Sequence, residues 1–131
     1  MKAETRTVLD LARTALVAAR RDLGAGDARA AVSRAYYAVF YAATAALRER
    51  GLVAKSHAGT HALFARHIVQ EGAFSPEQGL TLPRLFQQRQ DADYVFAVEA
   101  TRAEAEAALE RAQAFVAAVE AWLGRTGEGA P

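Results

Sequence analysis

The sequence predicts an all-α, up-and-down bundle of four to five helices, and three observations predict it. Apolar residues recur at three- and four-residue spacing in each long segment. Glycine or proline punctuates the chain between those segments, at Gly24 and Gly26, Gly51, Gly72 and Pro76. No segment sustains the period-two alternation of β-branched residues that marks a strand. The 131 residues suffice for one core and no second domain, so a single bundle is expected over 1–124, with a disordered tail over 125–131.

The first helix is expected over 4–23, with Val8, Leu11, Ala12, Ala15, Ala19 and Leu23 as its inward stripe. Asp27 can cap a second helix over 28–50, which Gly51 ends. Spacing divides this helix into three sides. Val32, Tyr36, Val39, Phe40, Ala43 and Leu47 form one, and Arg34, Tyr37, Tyr41 and Arg48 a second. The third is alanine, at Ala31, Ala35, Ala38, Ala42 and Ala46, which lets a neighbouring backbone come close and makes the helix central. A third helix fits 56–71. Ser75-Pro76 supplies a cap and a first-turn proline, and Pro83 then restarts a main helix over about 82–93. The last helix, 99–123, carries Ala108, Leu109, Ala112, Phe115, Val116, Val119 and Trp122 inward.

Composition narrows the function. Sixteen basic residues against 15 acidic leave a net charge of +1, which excludes strong sequence-independent attraction to nucleic acid by net charge alone but allows a local basic patch. With no cysteine, disulfides, thiolate nucleophiles and cysteine-based zinc sites are excluded, and a cytoplasmic protein is expected. The charged N-terminus lacks the apolar stretch of a signal peptide, and no run is long enough to span a bilayer. Phosphate-loop, dinucleotide and serine-hydrolase signatures are missing, and no cofactor is expected.

Two places could carry chemistry. On the second helix, Arg34, Tyr37 and Tyr41 form either a subunit contact or the wall of a nucleotide-sized cleft; the alternative is that Tyr36, Tyr37 and Tyr41 are core residues with hydroxyls at the rim. On the fourth, Leu82, Leu85 and Phe86 define an inward stripe that Arg89 and Asp93 continue. Charges at such positions are costly unless paired or functional. Arg89 and Asp93 either clamp the bundle end as an ion pair or form a site in which the planar Arg89 fork binds phosphate. His57 and His61 lie four apart and could face one way, but no third ligand accompanies them; no metal site is expected, and His57 is read as a capping or surface residue.

Three stretches resemble one family in order and spacing: Ala31-Val32-Ser33-Arg34-Ala35-Tyr36-Tyr37-Ala38-Val39-Phe40-Tyr41, Lys55-Ser56-His57-Ala58-Gly59, and Arg89-Gln90-Asp91-Ala92-Asp93-Tyr94. They are similar to the small prokaryotic HEPN proteins of the UPF0332 type, and the resemblance covers about residues 5 to 123. It implies a helical bundle that forms homodimers, often encoded beside a minimal nucleotidyltransferase as toxin and antitoxin. Active ribonucleases of the family carry an arginine followed after four to six residues by histidine, and two such motifs meet across the dimer to cut RNA without metal. This chain departs from that pattern. No histidine follows Arg89, and Tyr94 takes the shortest-spacing slot. A phenol with a pKa near about 10 is a poor general base at neutral pH, where imidazole near about 6.5 is well placed.

The leading expectation is therefore a homodimer that binds nucleotide, RNA or a nucleotidyltransferase partner through Arg89, Asp93, Tyr94, Arg34, Tyr37 and Tyr41. The alternatives are a metal-independent endoribonuclease in which Tyr94 or Asp93 replaces the histidine, and a non-catalytic dimerisation module.

Overall fold

A computed structural model describes residues 1–93 and 100–128, with side chains described as far as Arg125. The described residues hold six helices and no strand: α1 (Ala3–Gly24), α2 (Ala28–Glu49), α3 (His57–Phe64), α4 (Pro76–Gly79), α5 (Thr81–Asp93) and α6 (Arg102–Glu128). The expected all-α bundle is what forms, with α4 a single turn before α5.

Local chemistry explains most boundaries. The Asp27 carboxylate accepts from the Ala30 amide at 3.0 Å and starts α2. Gly51, at φ +73°, takes the left-handed conformation that stops it. Ser75 accepts from the Gln78 amide at 3.1 Å, and the Gln78 side chain accepts from the Ser75 amide at 3.0 Å, a reciprocal box with Pro76 in the first turn.

Charged contacts fix the directions of the long helices. Lys2 donates its amide to Glu49 at 3.0 Å, and Arg48 reaches Glu4 at 3.5 Å, so α1 and α2 run antiparallel. Arg102 donates to the Leu23 carbonyl at 3.2 Å, and Arg13 meets Glu120 at 3.2 Å, which sets α6 antiparallel to α1. Arg50 binds Glu71 and lies 5.2 Å from the Trp122 ring, joining the end of α2 to the end of α6.

Helix α2 is central, packing on α1, α6, α5 and α3. Its alanines at 31, 35, 38, 42, 45 and 46 are fully buried, as are Ala12 and Ala19 of α1. Side chains this small let helix axes lie close, so the seam has little spare volume. Ala42→Leu barely alters helix propensity, yet it is expected to destabilise the bundle by about 1–3 kcal/mol through overpacking. Urea unfolding should show a lower midpoint at unchanged slope; an unmoved midpoint would mean the seam has room.

Four expectations need correction. On α1 the buried face is Thr5, Leu9, Ala12, Ala15, Leu16 and Ala19, while Leu11 is 45% exposed. At 100° per residue Leu11 falls about 100° from Ala12, outside the arc that Leu9 and Leu16 share with the alanines. The third helix is not uniform: Ala65–Val69 widens into a π turn, with the Gln70 amide donating to the Ala65 carbonyl at 3.1 Å. On α5 the inward register passes from Leu82 and Leu85 to Ala92, which is buried, and not to Asp93, which is exposed. The last helix passes through Gly124 and continues to Glu128. A glycine costs a helix about 1 kcal/mol, and the buried Trp122 and Leu123 beside it hold this turn in place.

Candidate functional site

One cluster gathers the chemistry-bearing side chains of three helices around Tyr36. Tyr36 sits mid-helix on α2, wholly buried. The Ser56 hydroxyl accepts from the Gly59 amide at 2.9 Å and starts α3, which turns His57 and His61 toward α2. His57 is thus not the cap, and it is half-buried. Ser56 is the cap, and His57 stacks on Phe40 with ring centroids 4.3 Å apart. The Tyr36 hydroxyl oxygen lies 2.6 Å from His57 Nδ1 and 3.2 Å from His61 Nε2.

From the opposite side α5 brings Phe86 and Arg89. Phe86 lies 5.4 Å from Tyr36 and 5.0 Å from His61. The Arg89 guanidinium carbon lies 5.0 Å from the Tyr37 ring centroid and 5.7 Å from that of Tyr36. A cation over aromatic faces is held by the ring quadrupoles, at about 0.5–2 kcal/mol depending on exposure. Arg89 Nε is 3.3 Å from Asp93 Oδ2, but the contact lacks hydrogen-bond geometry; Nε is buried with no hydrogen-bond partner among the described residues. Asp93 therefore supplies charge and not a well-directed bond.

Burial and charge tune these groups. Burial pushes the Tyr36 phenol well above its ordinary range, and the Arg89 cation only partly opposes it. His57 is lowered from 6.5, first by burial and then by Arg89; His61 is lowered by burial and then by His57. Both imidazoles are thus held neutral at pH 7.

A pH dependence of stability follows. The folded pKa values of the two histidines lie below the unfolded value of 6.5, so the unfolded chain binds more protons in that window. Their contribution is fully present above about pH 6.5 and is lost as pH falls through the folded values. Glu49 and Glu71 are also lowered, from 4.5; hydrogen bonds from the Lys2 amide and from Arg50 are the respective main causes, and their loss comes at more acid pH. Unfolding midpoints measured from pH 8 to 4 should begin to fall below about pH 6.5, before the carboxylates titrate. A midpoint flat to pH 4.5 would contradict the imidazole assignment.

The sequence-predicted residues divide. Arg89, Tyr37 and Tyr41 lie in or beside the cluster, Tyr37 and Tyr41 with ring centroids 6.0 Å apart and both half-buried. Asp93 touches Arg89 and, with Arg29, Ser33 and Arg34, also lines an open hollow of about 370 Å³. Arg34 lies 3.8 Å from Asp22 of α1 and makes no described contact with the ring cluster. Tyr94 lies outside the described residues.

Sequence reasoning missed Tyr36, His57 and His61 as a unit. Two signals were present: the four-residue spacing of the histidines, and a tyrosine on the inward face of the central helix. No group of three or more metal-ligating side chains exists among the described residues. One nitrogen of each histidine lies instead against the Tyr36 hydroxyl. No described helix is long and apolar enough to cross a membrane.

An all-helical bundle with a buried aromatic centre and an arginine near the end of its fifth helix fits one family. The chain belongs to it: the HEPN domain model matches residues 5–122. It is similar to a UPF0332 protein of Thermotoga maritima, 36% identical over 90 residues, 69% of this chain and 68% of that protein. It is also similar to a Methanocaldococcus jannaschii protein named "Putative toxin MJ0605", 33% identical over 116 residues, 88% of this chain and 86% of that one. A second Methanocaldococcus jannaschii protein named as a toxin in the same terms is 30% identical over 93 residues, 71% of this chain and 63% of its own.

Proposed function

We propose that this HEPN protein is the toxin-like member of a two-component system and binds RNA as a homodimer, with Arg89 contacting a phosphodiester. The carrying observation is the state of Arg89: a cation laid across two tyrosine rings, with a buried Nε that finds no hydrogen-bond acceptor among the described residues. A planar fork fixed in this way suits a phosphate oxygen. Tyr37 and Tyr41 beside it offer aromatic faces of the kind on which unpaired bases stack. The toxin names of two relatives support a toxin-like role. A minimal nucleotidyltransferase is the proposed partner, and an unassociated monomer in sedimentation would remove the dimer from this reading.

A second reading, a metal-independent endoribonuclease, is favoured by one observation. His57 and His61 bring to the Arg89 cluster the imidazole that the chain lacks after Arg89. One pair of measurements tests both readings. Fluorescence anisotropy with labelled single-stranded RNA should show binding that weakens as salt rises, and at least about tenfold weaker binding by Arg89→Ala. Equal affinity for the variant would reject Arg89 as the phosphate contact. Gel analysis of the same RNA in chelator decides cleavage: cut RNA supports the second reading and intact RNA rejects it.

A further inference from the structure

The Tyr36 hydroxyl has one hydrogen to donate, yet two imidazole nitrogens lie within hydrogen-bonding distance, at 2.6 Å and 3.2 Å. With both rings neutral, the bonds can all be satisfied only as a directed chain. His61 Nε2–H donates to the Tyr36 oxygen, and Tyr36 O–H donates to His57 Nδ1, or the whole chain runs in reverse. The shorter distance at His57 suits the phenol as donor there.

A proton added to His57 reverses the chain. His57 then donates to Tyr36, Tyr36 donates to His61 Nε2, and His61 stays neutral by exchanging its Nε2 proton with solvent for one on Nδ1. Every bond survives. A second proton, on His61, would aim two donors at a hydroxyl whose own hydrogen has no acceptor in a wholly buried position. The chain therefore holds one extra proton and resists two.

The surroundings of His57 say when that proton is wanted. Tyr36, Tyr37 and Phe40 face it from α2, Phe86 and Arg89 from α5, and His61 from its own helix. Of these only Arg89 carries a charge at neutral pH, and Asp93 lies beyond it, in contact with the guanidinium. Arg89 and His57 rest against the same two rings: Arg89 at 5.7 Å and 5.0 Å from Tyr36 and Tyr37, His57 at 5.8 Å and 6.1 Å. A cation alone there disfavours a second positive charge, whereas an anion held on Arg89 reverses the sign of His57's nearest charged neighbour.

We propose that His57 is the second anion-binding group of the Arg89 site, and that a phosphodiester bound there takes up one proton into the His57–Tyr36–His61 chain. The proposal rests on Arg89 as the phosphate contact and adds to it a residue from another helix and a linked proton. It makes phosphodiester affinity rise as pH falls, although the ligand's own charge stays constant.

Histidine ring NMR resonances, followed against pH with and without a thymidine dinucleotide, test it. The dinucleotide's one phosphodiester remains singly charged and offers no 2′-hydroxyl to cleave. The His57 titration midpoint is expected to rise by about one unit or more when the dinucleotide is bound, with His61 remaining neutral. Each unit corresponds to about tenfold tighter binding at the acid end than at the alkaline end. His57→Gln should flatten that pH dependence; if this variant does not fold, the titration of the parent protein decides alone. A bound dinucleotide with an unmoved His57 midpoint would overturn the proposal and leave the Arg89 reading standing. Both histidines charging together on binding would overturn the one-proton chain. No binding by the parent protein at any pH would overturn both.

Discussion

Replacing Tyr36 by alanine is expected to lower the unfolding free energy by about 3–5 kcal/mol, the range for emptying a buried aromatic position. Tyr36 is 0% exposed, and five aromatic rings lie around it, at 5.3 Å (Tyr37), 5.4 Å (Phe86), 5.8 Å (His57), 6.0 Å (Phe40) and 6.2 Å (His61). Those rings come from three helices, so they cannot close the hole by a local shift. The substitution also strips His57 Nδ1 and His61 Nε2 of their common partner. Against a typical domain stability of about 5–15 kcal/mol, such a loss brings the protein close to unfolding. Tyr36→Phe separates the two parts of the effect. It keeps the ring and removes only the hydroxyl, at an expected cost of about 1–2 kcal/mol. Urea unfolding followed by circular dichroism measures both. A loss under about 1 kcal/mol for the alanine variant would mean that the cluster is not a packed unit.

Arg89→Ala is expected to weaken RNA binding by about 10- to 100-fold, because a hydrogen bond to a charged group is worth about 1.5–3 kcal/mol. Arg89→Lys is the more telling variant. Lysine keeps the charge, so the salt dependence of binding should persist. It lacks the planar fork that lies over Tyr36 and Tyr37, and so it should recover less than half of the lost binding free energy. Anisotropy titrations at two salt concentrations distinguish these outcomes. Full recovery by lysine would reduce Arg89 to a point charge. A second readout is independent of RNA. Since Arg89 helps to hold the His57 imidazole low, Arg89→Ala should let the His57 midpoint rise toward 6.5.

Two leucines and two charged residues on α5 show how far sequence pattern reaches. Leu82 and Leu85 were legible as core because a three-residue step keeps both on one face, and both are buried. Arg89 was legible as anomalous for the same reason. Asp93 was misplaced because the stripe drifts around a helix: after two turns the residue facing inward is Ala92. The functional weight of Tyr36 was harder to see. A tyrosine on an apolar face reads as core, which it is, and nothing in its own helix shows what its hydroxyl meets.

What the sequence by itself determined was local. Caps at Asp27 and Ser75, the stop at Gly51 and the apolar spacing set which segments are helical, because those preferences act within a few residues. The alanine side of α2 also announced a central helix, since small side chains are what close approach requires. Only the tertiary structure decided that Tyr36, His57, His61 and Arg89 meet. Spacing can place two histidines on one face, but the partner they share is 21 residues from His57 and 25 from His61 along the chain, and Arg89 arrives from a third helix. Which faces oppose one another is set by how the helices pack around α2, and that packing brings a neutral histidine pair up against a cation.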